Sequence, residues 1–376
     1  MRLLHGLFLS LSLLAAGGAR AETGVTDKEI VVGQFAAMSG PAAQLGQRLN
    51  AGIQAYFKAV NDQGGVNGRT LRLLTRDDGY EPDKAVAAVK ALIEQDQVFA
   101  LVGSVGTPTG LAAVPVLTAA KVPLVGMFTG AQGLREPFNR HVFHVRASYF
   151  DETERIVQHL TTLGVKKIAV FYQNDAYGKA GLEGVTRALA KRQLKPAGLG
   201  TVERNSPDVT TALNAILPAQ PEAVVQIGAY KACAEFIKQA RGKGYGGQFF
   251  NVSFVGSKAL ADELGPAGMG VVISQVVPFP YIPSSSVVRE YQQRMKDMGE
   301  KEFDFSSMEG FLIGKVFVEG LRRAGKSPTR ESLIAGLESM KEVNLGGFEI
   351  SYSAKDHSGS SYTDLTIIGR DGRFVH

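Results

Sequence analysis

Short apolar runs alternate with amphipathic segments through most of the chain. The run at residues 30–35 leads into a segment where Leu49, Ile53 and Phe57 recur at the spacing of one helix face. Such an alternation of strands and helices is typical of a parallel sheet covered by helices, so the pattern predicts an α/β fold. The first set of predicted strands lies at residues 30–35, 71–74, 99–103, 123–126 and 142–145.

The same alternation starts again near Asp151, which predicts a second open sheet and therefore a second lobe. Right-handed crossovers place the loops after the strands at one edge of each sheet, where such folds bind ligands, and two facing edges would form a cleft. A proline-rich stretch at residues 278–283 would stiffen a crossing between the lobes. The second set of predicted strands lies at residues 167–172, near 199, and at 223–227 and 249–252.

The first 21 residues differ from the rest of the chain. Arg2 precedes an apolar core at residues 3–14, and the segment closes with Ala19-Arg20-Ala21. A basic start, a short apolar core and an A-x-A ending are typical of a secretory signal peptide. The core is shorter than the roughly 20 apolar residues that span a bilayer. We therefore expect residues 1–21 to be removed and the mature chain to begin near Glu22 in the periplasm.

Composition narrows the class of function. The chain has 376 residues, 44% of them apolar, which is enough for two cores. The formal net charge of +5 falls to about +3 without Arg2 and Arg20, and the absence of a basic run argues against nucleic-acid binding. Cys233 is the single cysteine, so no intramolecular disulfide can form, and we expect it to be a small core residue.

One stretch matches a nucleotide-binding motif letter for letter. Residues 320–327 have the spacing of a phosphate-binding loop, but such a loop follows a strand and opens a helix. This stretch instead ends an amphipathic pattern, with Gly325 as the predicted helix C-cap and Pro328 just beyond it. His141 and His144 are predicted to point to opposite faces of a strand, so they cannot share a metal. We expect no enzyme activity, cofactor or metal.

The loop at residues 103–109 carries the clearest binding signal. It leaves a buried strand and enters a helix, so its amide groups, the Thr107 hydroxyl and the positive end of the helix dipole would face the cleft. The alternative is that Thr107 only caps the helix, with Pro108 at its first position, although a cap and an anion site can be the same atoms. We expect Thr107, with Val105 and Gly106, to bind a ligand carboxylate.

The loops after other strands add hydroxyl and aromatic groups. Phe128, Thr129 and Gly130 follow the next strand and offer a second hydroxyl and an aromatic wall, while Tyr177 and Tyr230 follow strands of the second lobe. Taken singly, each tyrosine is also explained by ordinary packing. Aromatic rings from both lobes suit a protein that closes over an apolar group, so we expect these residues to complete the site.

Several motifs reveal a resemblance to a known family. They are the segment at residues 30–41, the run Asn61-Asp62-Gln63-Gly64-Gly65-Val66-Asn67-Gly68, the triplet Arg76-Asp77-Asp78 and the loop at residues 103–109. Over essentially its whole mature length the chain closely resembles the periplasmic leucine/isoleucine/valine-binding protein family. The resemblance implies a type I periplasmic binding fold, with two Rossmann-like doubly wound lobes joined by a three-segment hinge. The implied lobes are residues 22–146 with 280–347, and residues 147–279 with 348–376.

Departures from the family pattern bear on the ligand. Ser253 stands where the amino-acid binders of the family carry a glutamate that pairs with the ligand ammonium. A buried ammonium without a counter-charge is costly, so we hypothesise a carboxylate ligand without an α-ammonium, such as an aromatic or aliphatic acid. Alternatively, Glu309 replaces the missing charge and the ligand is an amino acid. By the same resemblance, Leu45 and Phe305 are further expected contacts.

The combined expectation is a monomeric, hinge-bending receptor that delivers a small carboxylate or amino-acid ligand to ABC permease subunits in the inner membrane. No nucleic-acid partner is expected. The alternative is a ligand sensor of the same fold that reports to a signalling partner. Neighbouring permease and ATPase genes would favour transport, whereas a neighbouring kinase or regulator gene would favour sensing.

Overall fold

The computed structural model describes residues 22–376, and the predicted signal peptide lies outside this part of the chain. Among the described residues no helix combines the length and the apolar character needed to cross a membrane. These residues form two α/β lobes, each built on one main sheet. The fold class predicted from the alternation of strands and helices is confirmed.

Five parallel strands form the sheet of the first lobe. They are β1 (Glu29–Ala36), β2 (Thr70–Asp77), β3 (Ala100–Val102), β4 (Leu124–Val125) and β5 (Val142–Phe143), in the order β2-β1-β3-β4-β5. Strand β1 is buried along all but its first residue, as expected for a parallel sheet with both faces covered. The helices between the strands are α1 (Ala43–Asp62), α2 (Pro82–Glu94) and α3 (Thr107–Ala119).

The second lobe repeats this arrangement. Its parallel strands are β6 (Ile168–Gln173), β7 (Leu199–Val202), β8 (Ala223–Ile227), β9 (Gln248–Asn251) and β10 (Val272–Gln275). Its helices are α4 (Tyr149–Thr162), α5 (Ala176–Ala190), α6 (Thr210–Ile216), α7 (Tyr230–Gly242) and α8 (Ser257–Leu264). Helix α4, which follows the first crossing, begins with a capping box between Ser148 and Asp151.

The chain then returns to the first lobe and crosses once more. Helices α9 (Ser286–Asp297), α10 (Phe305–Ala324) and α11 (Arg330–Glu338) pack on the first lobe, with α10 lying along α1. Strands β11 (Val343–Asn344) and β12 (Glu349–Ile350) form a small antiparallel pair. Strands β13 (Asp364–Ile368) and β14 (Phe374–Val375) extend the second sheet to the order β14-β13-β10-β9-β8-β6-β7.

Contacts of residues 352–359 favour a later third crossing than the family resemblance implies. Residues 348–376 were expected in the second lobe, but Tyr352, His357 and Gly359 contact the end of β5 in the first lobe. The His357 ring stacks on Phe143 at 3.6 Å between centroids, and the Tyr352 hydroxyl and the Gly359 amide both donate to the carbonyl of His144. We therefore propose lobes of residues 22–146 with 280–360, and 147–279 with 361–376.

The stretch at residues 320–327 ends a helix, as predicted. Helix α10 closes at Ala324, and Gly325 follows with a φ of 86°, a backbone conformation that glycine adopts without strain. The next helix starts only at Arg330, so Lys326 does not open a helix as it would in a phosphate-binding loop. Cys233 is a buried, free thiol, as expected for a core residue.

Helices α1 and α10 approach each other so closely that only glycine fits at their contact. A Cβ atom at Gly52 would lie 1.9 Å from the carbonyl oxygen of Ser307, and one at Gly310 would lie 2.0 Å from that of Leu49. Both close contacts are with backbone atoms, which cannot rotate away. The contact fixes α10, and with it Glu309, against the first lobe.

We predict that Gly52→Ala destabilises the protein by roughly 1–3 kcal/mol, because the added methyl group overpacks this contact. Urea unfolding at neutral pH measures the change. Gly242→Ala is the matched control, because Gly242 ends α7 in an exposed position and a Cβ there would meet no atom within 4 Å. We expect that control to change stability by less than about 0.5 kcal/mol. Equal effects of the two substitutions would contradict the close approach.

Candidate functional site

The carboxyl ends of the parallel strands of both sheets meet in one interlobe region. In the first lobe, Thr107 is the first residue of α3, and Gly106 precedes it with a φ of 102°. A Cβ at Gly106 would lie 2.3 Å from Cε2 of Tyr80, so the loop passes directly over that ring. The sequence expectation differs here by one position, since Thr107 begins the helix rather than capping it.

The predicted hydroxyl groups of the first lobe lie together. The Oγ1 atoms of Thr107 and Thr129 are 2.6 Å apart, and Thr129 Oγ1 also donates to the Tyr149 hydroxyl at 3.2 Å. Val105 pairs with Phe128 across adjacent loops, and the carbonyl of Gly130 accepts from the Tyr149 amide. This produces a buried chain of hydroxyl groups beside the amino terminus of α3.

Arg146 lies at the centre of the region, just after β5. Its side chain is 0% exposed, and its guanidinium stacks on the Phe128 ring with Cζ 4.9 Å from the centroid. Nη2 lies 3.3 Å from Glu152 Oε1 and also donates to Ser253 Oγ, while Nε is 3.7 Å from Glu309 Oε1. Arg146 thus contacts α10 and the Phe128 loop of the first lobe as well as two groups of the second lobe.

Glu152 is held by several donors from the second lobe. Its Oε2 accepts from the Ser253 amide at 2.8 Å and from the Ser274 hydroxyl, and its Oε1 accepts from Ser253 Oγ at 3.0 Å. Ser253 was expected to stand where a ligand-binding acid is found. In the structure it instead connects Glu152 to Arg146, so its visible role is to position those two charged groups.

Burial and neighbouring charges change the pKa values of Glu309 and Arg146. Burial raises the pKa of Glu309 to about 7, against the opposing effect of Arg146 and with a further rise from Glu152. Burial by itself lowers the pKa of Arg146, but Glu309 and Glu152 more than offset this and keep the pKa above its ordinary value. Arg146 Nε, Arg146 Nη1 and Glu309 Oε1 are buried without a hydrogen-bond partner in the part of the chain that the structure describes.

Aromatic rings from both lobes enclose the same region. Phe254, which follows β9, lies 4.5 Å from Tyr177, 5.6 Å from Phe128 and 5.8 Å from Tyr80, measured between ring centroids. Tyr149 completes the cluster, 5.5 Å from Tyr177. Phe254 and Tyr177 belong to the second lobe, whereas Phe128 and Tyr80 belong to the first, so the rings are in contact across the cleft and the lobes are closed.

Polar contacts at the rim also join the two lobes. Gln173 donates to the Tyr80 hydroxyl at 3.2 Å, and Arg204 Nη2 lies 2.9 Å from Glu81 Oε2. Asn205 donates to Glu81 and to the carbonyl of Gly79. The hydrogen bond between Gln173 and Tyr80 is buried. Glu81, Arg204 and Asn205 are partly exposed, so the ion pair of Arg204 and Glu81 contributes little to stability compared with the buried contacts.

The remaining predicted residues fall in two other places. Tyr230 and Leu45 lie near one another at one end of the cleft, where the backbone of Gln44 hydrogen-bonds to the Tyr230 hydroxyl and Leu45 packs against Gly256. Phe305 packs instead with Phe279, Tyr281 and Phe374, at the second crossing and the last strand. No group of three or more metal-ligating side chains is found within residues 22–376.

Comparisons with known proteins agree with this architecture. The family model described as periplasmic binding protein matches residues 29–373. The chain belongs to this family. A crystal structure of a possible leucine/isoleucine/valine-binding protein from Rhodopirellula baltica has 34% sequence identity and a TM-score of 0.89, and the match covers 95% of this chain and 98% of that one. The predicted family is therefore confirmed.

Two sequence relatives support the same assignment. Leu/Ile/Val-binding protein homolog 7 of Brucella suis is 27% identical, and the match covers 99% of this chain and 95% of that protein. An amino acid binding protein of Pseudomonas aeruginosa is 26% identical, over 63% of this chain and 64% of its own length. The match thus spans less than two thirds of the Pseudomonas protein.

Sequence reasoning missed the charged centre of this periplasmic binding protein. Arg146 follows a predicted strand at the same sheet edge as Thr107, so the strand-end rule that found Thr107 also applies to it. Phe254 follows β9, so the same strand-end rule applies to it. Glu152 had no such signal, because it lies within a helix and meets Ser253 only through the fold.

We predict that Glu309→Gln changes how the stability of the ligand-free protein depends on pH. The folded-state pKa of about 7 lies above the ordinary value of 4.5, so the contribution of Glu309 to stability is largest below pH 4.5 and is lost as the pH rises through 7. The amide does not ionise. Between pH 4.5 and 8, the free energy of unfolding of the variant should therefore rise by up to about 3 kcal/mol relative to that of the wild type.

Urea unfolding across this pH range tests the prediction. Glu349→Gln is the control, because Glu349 is exposed on β12 and its replacement should give a difference that does not vary with pH. A pH-independent difference for Glu309→Gln as well would show that this carboxyl group is not titrating in the folded protein.

Proposed function

We propose that this chain is the periplasmic solute-binding receptor of an ABC importer, and that it captures a small carboxylate ligand between its lobes. One observation carries the proposal: a fully buried guanidinium stacks on Phe128, next to a buried pair of threonine hydroxyls, where the two lobes meet. A carboxylate requires hydrogen-bond donors that are shielded from water, and two nitrogens of this guanidinium make no hydrogen bond to the described chain.

The first lobe supplies the groups for initial capture. Thr107 begins α3, a helix of 13 residues, so its hydroxyl and the first amide groups of the helix lie at the positive end of the helix dipole. Thr129 adds the second hydroxyl. In this proposal Val105, Gly106 and Gly130 shape the backbone around the ligand, and Phe128 forms one wall.

The second lobe supplies the closing surface. Tyr177 and Phe254 cover the ligand from the second lobe, and Tyr230 with Leu45 closes one end of the cleft. A ligand that contacts both lobes stabilises the closed conformer in proportion to those contacts, and the closed conformer is the form that a permease can distinguish. Phe305 belongs to the crossing in this proposal, where its ring cluster supports the hinge.

We predict that Thr107→Val weakens carboxylate binding by about 10- to 100-fold, because it removes a hydrogen bond to a charged group worth roughly 1.5–3 kcal/mol. Thermal-shift titration of refolded, ligand-stripped protein measures this, using branched-chain amino acids together with aromatic and aliphatic acids. Thr161→Val is the control, because its hydroxyl donates to Val157 O at the far end of α4.

Two results would count against the proposal. Unchanged affinity in the Thr107→Val variant would place the carboxylate elsewhere in the cleft. A wild-type protein that responds to none of the amino acids or acids would argue against a carboxylate receptor altogether.

A further inference from the structure

We propose that the ligand is a carboxylic acid anion without an ammonium group, that Arg146 is the cation which the site itself provides for it, and that capture places a proton on Glu309. The inference rests on the proposed function, because it names the ligand class of the same cleft. It follows from the hydrogen bonds that Arg146, Glu152 and Glu309 make and from those that they leave unmade.

Arg146 has hydrogen-bond donors that the described chain does not use. Only its Nη2 is hydrogen-bonded, to Glu152 and Ser253. Nε and Nη1 have no hydrogen-bond partner among the described residues, although the side chain is 0% exposed and Nε lies 3.7 Å from Glu309 Oε1. A guanidinium cannot accept a hydrogen bond, so a ligand group placed against these nitrogens must be an acceptor. A carboxylate meets that requirement with two oxygens, whereas an ammonium offers only further donors.

Glu152 is not available to a ligand ammonium. A carboxylate has about four acceptor positions. Four donors already occupy them: the amide and hydroxyl of Ser253, the hydroxyl of Ser274, and Arg146 Nη2. All of these partners are buried and belong to the protein, so an ammonium would have to displace one of them.

Glu309 is the remaining carboxyl group of the site. Within residues 22–376, Arg146 and Glu152 are the two charged groups that shift its pKa. Several charged groups on the helices packed against α10 form ion pairs with other residues, among them Arg48–Asp304, Arg48–Glu300, Glu290–Lys315, Lys258–Asp262 and Arg140–Glu331. Glu338 lies 3.4 Å from Nε2 of His357, whose pKa is lowered chiefly by burial. Of the neighbouring tyrosines, Tyr56 and Tyr291 have pKa values that burial raises further above 10, so they stay neutral. The charge state of the site is therefore set by Arg146, Glu152 and Glu309.

The charge balance decides which proton state accepts an anion. With both glutamates ionised, the three groups carry a net negative charge that repels a carboxylate. A proton on Glu309 makes them neutral and turns its free Oε1 side into a possible hydrogen-bond donor to the ligand. An ammonium ligand requires the opposite state, with Glu309 ionised, and it would also lie close to the guanidinium of Arg146, whose Nε is 3.7 Å from that carboxyl group.

Matched ligand pairs test this distinction. We would titrate the ligand-stripped protein by calorimetry with isocaproate against leucine, and with hydrocinnamate against phenylalanine, at pH 6 and pH 8.5. Each pair differs only in the α-ammonium. We expect at least one acid to bind about a hundredfold more tightly than its amino acid. Its affinity should fall at least tenfold between the two pH values, because the pKa of Glu309 in the free protein is about 7 and each pH unit above it costs up to tenfold.

Two variants sharpen the test. Glu309→Gln mimics the protonated side chain, so it should raise the affinity for that acid at pH 8.5 at least tenfold over the wild type. Arg146→Met should lower the affinity for the acid at least a hundredfold at either pH. If Arg146→Met fails to fold because Glu152 is left unpaired, the Glu309→Gln result still decides the proposal.

The outcomes separate this inference from the proposed function. Preference for leucine or phenylalanine, with Glu309→Gln abolishing that binding, would overturn the inference and leave the carboxylate receptor standing. If isocaproate or hydrocinnamate binds with an affinity that does not depend on pH, Glu309 does not take up a proton on capture, and the inference as stated is wrong. Absence of binding to all four compounds would contradict the proposed function, and the inference would fall with it.

Discussion

The arrangement of side chains around the cleft depends on the buried guanidinium of Arg146. Removing a charge from water costs several kcal/mol unless partners and hydrogen bonds compensate it. Arg146 obtains that compensation from Glu152, and Glu152 is held in turn by Ser253 and Ser274. The capping box of Ser148 and Asp151 starts α4 immediately after the crossing, so Glu152 is the fourth residue of a helix whose beginning is fixed. Local helix chemistry thus positions the counter-ion of the site.

Arg146 has charged partners on both lobes, so closing the lobes also brings its compensating carboxylates together. It lies at the first crossing, with Glu309 and Phe128 of the first lobe on one side and Glu152 and Ser253 of the second lobe on the other. Any motion that separates the lobes separates these partners. The rim pair of Arg204 and Glu81 joins the same lobes, but it is partly exposed and screened, so it adds little energy. The buried contacts of Arg146 therefore contribute most of the free energy that holds the two lobes together.

Much of the fold was predictable because it follows from periodicity and one topological rule. The alternation of strands and helices gave both sheets, and the strand-end rule placed Thr107, Phe128 and Tyr177 where the lobes meet. Arg146 was within reach of the same rule, but an isolated arginine after a strand usually indicates a solvated residue. Glu152 was not predictable, because its partner Ser253 lies 101 residues away and hydropathy says nothing about paired buried charges.

Two differences from the expected arrangement have similar causes. Residues 348–360 carry a β-rich pattern that suits either sheet, and the stacking of His357 on Phe143 is the tertiary contact that favours placing them in the first lobe. Phe305 opens α10 near the cleft, but aromatic partners from the second crossing and from β14 draw its ring to the hinge. In both cases a long-range aromatic contact decided between positions that the local sequence allows equally.

The site contains neutral and charged hydrogen-bond donors. The free-energy cost of burying them in the ligand-free protein differs between the two kinds. Thr107 and Thr129 hydrogen-bond to each other, so their burial costs little, and the Thr107 hydroxyl can rotate to donate to a ligand instead. Arg146 cannot do the same, since Nε and Nη1 find no acceptor within the described chain. In the proposed complex, a ligand carboxylate therefore gains most by hydrogen-bonding to the guanidinium. The hydroxyl pair would then fix the direction from which the carboxylate approaches, while the Arg146 donors that lack a hydrogen-bond partner would supply the driving force.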